Sequence, residues 1–65
     1  MEKDWRKVFE STNEITIQMA RQMLEEHGIE SVIFNKKDRA YGFGELELYC
    51  MRDNVIRAKL ILKDL

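Results

Sequence analysis

The stretch Gly44-Glu45-Leu46-Glu47-Leu48-Tyr49-Cys50 alternates polar and apolar side chains without a break, and a period of two commits a segment to a strand with one buried face. Leu46, Leu48 and Cys50 are expected on the core side, with Glu45, Glu47 and Tyr49 on the other. Sheets wetted on one side are characteristically antiparallel. The rest of the chain must therefore supply helices for one face and leave the opposite face open, with this strand in the middle.

Sixty-five residues make one domain, expected to span 1–65, and a chain of this size buries only about 60% of its unfolded surface. The usual staples of small domains are missing: Cys50 is the single cysteine, and no Cys/His set is spaced for zinc. Self-association is the staple that remains. A lone cysteine at a core-facing position suits a reducing cytosol, so a cytoplasmic location is expected. The start, Met1-Glu2-Lys3-Asp4-Trp5-Arg6-Lys7, is charged where a signal peptide is apolar, and no stretch reaches membrane-spanning length. Eleven basic and twelve acidic side chains give a net charge of −1, which argues against attachment to nucleic acid or anionic lipid by bulk charge.

Trp5 to Glu10 reads as a first strand, in which Val8 and Phe9 are expected on opposite sides. Ser11-Thr12-Asn13-Glu14 has the form of a capping box, with Asn13 as the alternative cap. A helix follows with Ile15, Ile17, Met19, Ala20, Met23 and Leu24 on its apolar arc, ending at Gly28, after which Ile29 packs back. Glu30 to Asn35 is the second strand, with Val32 and Phe34 sharing a face, and 36–43 is a loop. After the central strand, Asp53 is expected to cap a second helix running to about Lys63, with Val55, Ala58, Ile61, Leu62 and Leu65 inward. The order βαββα predicts a ferredoxin-like α+β two-layer sandwich: a three-stranded antiparallel sheet, order 1-3-2, with two helices on one face. The fourth strand of that fold is missing, which leaves an edge of strand one unpaired.

Some apolar residues are surplus to this core. Ile56 and Leu60 lie four apart, opposite the inward stripe of the second helix, and Trp5 or Phe9, Ile33, Tyr49 and Met51 are placed on the open sheet face. Clustered apolar surface on a small protein marks contact with another molecule. The 36–43 loop is locally basic through Lys36, Lys37 and Arg39 and carries Tyr41 and Phe43, a combination suited to a small anionic, nucleotide-like ligand. Tyr41-Gly42-Phe43-Gly44-Glu45 is similar in outline to the third-strand motif of RNA-recognition domains, yet a glutamate stands where the second base-stacking aromatic belongs, and Glu47 adds charge that repels phosphate. RNA binding is not expected. His27, at the end of the first helix, reads as a partly buried packing residue, Cys50 as an unreactive thiol, and Glu45 and Glu47 as solvated carboxylates with no partner acid or nucleophile. No enzyme and no cofactor are expected.

Ser11-Thr12-Asn13, Met23-Leu24-Glu25-Glu26-His27-Gly28-Ile29, Asn35-Lys36-Lys37-Asp38, Phe43 to Tyr49 and Arg52-Asp53, in this order across nearly the whole chain, resemble a family of small bacterial domains of unknown function, the putative prokaryotic signal-transducing proteins. The resemblance implies a cytoplasmic bacterial α+β domain with a role in signal transduction. Residues and resemblance together predict a non-enzymatic regulatory domain that acts through a protein partner or as a homodimer. Its expected surface comprises Trp5, Ile33, Tyr49, Met51, Ile56 and Leu60, and the alternative is a small-ligand sensor at the 36–43 loop.

Overall fold

The structure, a computed structural model, describes residues 4–36 and 45–65. Its elements are β1 (Trp5–Ser11), α1 (Glu14–Glu26), β2 (Ser31–Asn35), β3 (Leu46–Met51), a 3-10 turn (Arg52–Asn54) and α2 (Val55–Ile61). The strands form an antiparallel sheet in the order β1-β3-β2. Both helices pack on the face that carries Leu46, Leu48 and Cys50. This is the expected arrangement, consistent with a ferredoxin-like α+β fold.

The core is a single cluster in which Ile17, Ala20 and Leu24 of α1 and Ala58 and Leu62 from α2 and its C-cap meet Val8, Leu46, Leu48 and Cys50 of the sheet. Helix α1 is started by Asn13, whose Oδ1 accepts from the amides of Ile15 (2.8 Å) and Thr16 (3.3 Å). Ser11 is one step removed: its Oγ accepts from the Asn13 amide and fixes the cap residue itself. At the other end Gly28 takes φ 76°. The Gly28 amide then donates to the Glu25 carbonyl and the Ile29 amide to that of Leu24, a Schellman closure that delivers Ile29 into the core.

Five expectations need correction. Val8 and Phe9 do not face opposite ways, because β1 has a bulge: Lys7 pairs with Tyr49 and Phe9 with Leu48, so Val8 is an extra residue and both side chains turn to the core. Ile33 lies opposite Leu48 and packs on the core instead of joining the open face. Ile15, Met19 and Leu65 are exposed, since α1 and the C-terminal turn need only a narrow inward stripe to fill so thin a core. His27 is exposed too; its Nδ1 donates to the Met23 carbonyl at 2.8 Å instead of packing inward. Asp53 caps nothing, because the chain leaves β3 through the 3-10 turn, and α2 starts later, at Val55, without a side-chain cap.

The open sheet face as candidate interaction surface

Register decides which side chains share the face away from the helices. Trp5 pairs with Met51, Lys7 with Tyr49 and Glu10 with Glu47 on one side of β3, while Val32 pairs with Tyr49 and Phe34 with Glu47 on the other. In a regular strand Lys7 and Glu10, three apart, would face opposite ways. The bulge at Val8 brings them to the same side, and the Lys7 Nζ lies 2.6 Å from Glu10 Oε1. No described helix or strand covers this face.

At its centre is Glu47, which is 5% exposed although it points away from the core. What buries it is its neighbours' side chains. The Tyr49 hydroxyl donates to Oε1 at 2.9 Å, and the ammonium groups of Lys7 and Lys36, from β1 and from the residue after β2, each approach Oε2 at 3.4 Å. Burial pushes the carboxyl pKa up, but the Tyr49 hydroxyl and the two lysines more than offset it, so the net shift is downward and Glu47 is held ionised. The same contact raises the Tyr49 phenol, because Glu47 accepts its proton in a hydrogen bond and burial adds to the effect. Lys7 is raised mainly by its hydrogen bond to Glu10.

The polar centre has an apolar border. Phe34 meets the Tyr49 ring edge-on, with centroids 6.5 Å apart and planes at 86°. Val32, Trp5 and Met51 are half-buried on the same face. Glu45 adds a third carboxylate to those of Glu10 and Glu47, and oxygens of the three lie within 4.8 Å of one another. Such a set has the hard-oxygen chemistry of a calcium or magnesium site. Here, however, lysine ammonium groups already neutralise Glu47 and Glu10.

Of the residues picked from sequence for the surface, Trp5, Tyr49 and Met51 do gather on the open face and Ile33 does not. Ile56 and Leu60 lie on the outer side of α2, 84% and 64% exposed, a separate apolar pair. Lys37, Arg39, Tyr41 and Phe43 of the proposed ligand loop fall outside the described residues. Lys36, which is described, directs its ammonium to Glu47. Sequence reasoning missed Lys7, Glu10, Val32 and Phe34. Pairing Val32 and Phe34 with Tyr49 and Glu47 would have found two of them, whereas nothing in the sequence announces the bulge that brings the others. Cys50 is fully buried, and burial pushes its thiol pKa up, as expected of an inert thiol. No helix among the described residues is long and apolar enough to cross a membrane.

Comparison with curated proteins and with solved structures found no match. A family model described as "Putative prokaryotic signal transducing protein" matches residues 5–65, from the first residue of β1 through the end of the chain. That span takes in every element of the sheet and both helices, and on it the chain belongs to the family so described.

Proposed function

We propose that the chain is a non-enzymatic regulatory domain of signal transduction that acts through protein interaction or self-association, with the sheet face away from the helices as its contact surface. One observation carries the reading: a buried, ionised glutamate held by a tyrosine and two lysines at the centre of a face that no described helix or strand covers and that Phe34, Val32, Trp5 and Met51 border. Side chains already fixed in place lose little conformational entropy when a partner lands on them, and aromatic anchors around a satisfied polar centre are what binding hot spots are made of. The fixed charge also selects, since a partner must present groups compatible with the Lys7-Glu47-Lys36 cluster or leave them unpaired.

The test is photo-crosslinking in the producing cell from a benzophenone side chain at Met51 on the open face, with Gln22 on the outer side of α1 as control. Discrete adducts from Met51 and none from Gln22, assigned by mass spectrometry to another protein or to a second copy, are the expected result. Equal labelling from both positions, or none from Met51, overturns it.

A further inference from the structure

Among the described residues both outer strands of the sheet have an edge, and the two edges differ. β1 is interrupted by its bulge and carries Lys7 and Glu10 beside it, devices that discourage a neighbouring strand. β2 runs Ser31-Val32-Ile33-Phe34-Asn35 in unbroken register, with no charge and no proline. The Lys36 amide donates to the Glu45 carbonyl at 2.9 Å, which sets the alternation: the main-chain groups of Phe34 and Val32 turn to β3, and those of Ile33 turn outward.

We propose that a second copy of this chain pairs with that edge, β2 against β2 in antiparallel register about a twofold axis at Ile33. This deepens the self-association half of the reading above and rests on it. The sequence around Ile33 is complementary to itself. The axis makes Ile33 its own partner, exchanging amide and carbonyl with Ile33 of the other copy, and sets Ser31 opposite Asn35. On the open face it sets Val32 against Phe34, so that the 37% of Phe34 left exposed in one copy is covered by an apolar neighbour. One step further out it sets exposed Glu30 against Lys36, opposite charges at both ends of the paired segment. A register shifted along the strand loses the Val32-Phe34 pairs and both charge pairs together. The product is a six-stranded sheet in the order β1-β3-β2-β2-β3-β1, in which the two open faces become one.

The experiment is sedimentation equilibrium of the full chain at high micromolar concentration, with three variants. Chemical synthesis gives a chain N-methylated at the Ile33 amide, which removes the outward donor while sparing the side chain and every bond to β3. Glu30→Lys and Lys36→Glu are studied alone and mixed. The parent chain is expected at twice its 7.8 kDa. The N-methyl chain, with a native circular dichroism spectrum, should dissociate about thirtyfold more readily after losing the two central hydrogen bonds. Each charge variant alone should weaken the dimer, and the mixture should restore it as a heterodimer. In the mixed pair the lysine introduced at position 30 of one copy meets the glutamate introduced at position 36 of the other, and the two unchanged residues, Lys36 and Glu30, meet at the opposite end. A parent chain that stays at 7.8 kDa, an N-methyl chain that associates as well as the parent, or a mixture no tighter than its components overturns the proposal. Adducts at Met51 to a different protein, with a chain that sediments as a monomer, would overturn this pairing and leave the open-face reading standing.

Discussion

Tyr49→Phe isolates the hydrogen bond on which the open face is centred. The substitution deletes a hydroxyl that donates to Glu47 Oε1 at 2.9 Å and keeps the ring that meets Phe34 edge-on. A hydrogen bond to a buried charge contributes about 1.5–3 kcal/mol. Glu47 keeps its two lysines at 3.4 Å, and it lies under side chains and not deep in the core, so the lower end applies and a loss of about 1–1.5 kcal/mol is expected at neutral pH. With a urea m-value of about 1 kcal/mol/M for a chain this small, the unfolding midpoint should fall by about 1–1.5 M.

The pH dependence gives that loss a signature. The folded-state pKa of Glu47 is depressed below the ordinary 4.5, so the stability it contributes is present above the unfolded pKa and is lost as pH falls through the folded one. The gap between parent and Tyr49→Phe should therefore be full at pH 7 and shrink below about pH 4.5, as Glu47 takes up its proton. Urea titrations of both proteins from pH 7 downward measure it. A gap that is equal at all pH values, or no gap at pH 7, would mean that the hydroxyl does not hold the carboxylate, and the argument for a fixed polar centre would fail with it.

Three other outcomes follow from the fold. Leu48→Ala, at a fully buried position in the central strand, should cost about 2–5 kcal/mol and leave the chain largely unfolded by circular dichroism. Gly28→Ala adds a Cβ that meets nothing within 4 Å, so its cost is confined to the backbone at φ 76°; about 1 kcal/mol is expected, a fall of about 4–8 °C in Tm, and a loss of several kcal/mol would point to a clash the structure does not contain. Asn13→Ala should lose about 1 kcal/mol of cap energy while Asp53→Ala stays within about 0.5 kcal/mol in the same thermal melts, and the reverse order would restore Asp53 as a cap.

Those contrasts show what a single sequence can carry. Leu46, Leu48 and Cys50 could be assigned to the core because a period of two is a local property, and Gly28 could be assigned to a helix end because only its neighbours and its missing Cβ matter. The strand order followed from chain connectivity. What could not be read was anything set by one residue more or less. Val8 and Phe9 share a side because the ladder of β1 skips a place, and the choice between a bulge and a regular strand lies in the fit against β3, not in β1. Ile33 was misplaced for a related reason: its side is fixed by its partner, Leu48, and within β2 either face could have been the apolar one.

The bulge also explains why a glutamate is tolerated at Glu47. Without it Lys7 and Glu10 would stand on opposite faces, and one of the two lysines that neutralise Glu47 would be matched to the carboxylate only at the expense of placing Glu10 in the core. The extra residue sends two apolar side chains inward in succession and two charged ones outward, so core filling and charge pairing are met by the same irregularity. The same irregularity blunts the edge of β1 and leaves β2 as the edge able to accept another strand. Deleting Val8 separates the two roles of that residue. The pairs Lys7-Tyr49, Phe9-Leu48 and Glu10-Glu47 keep their places, so the strand becomes regular with Lys7 and Glu10 still on the open face, and only the Val8 side chain is lost from the core; the deletion should cost about 1–2 kcal/mol, close to Val8→Ala, which keeps the bulge and removes two methyl groups. A deletion variant that is unfolded in urea titration where Val8→Ala is folded would show that the bulge itself, and not the pairing it leaves in place, holds the open face together.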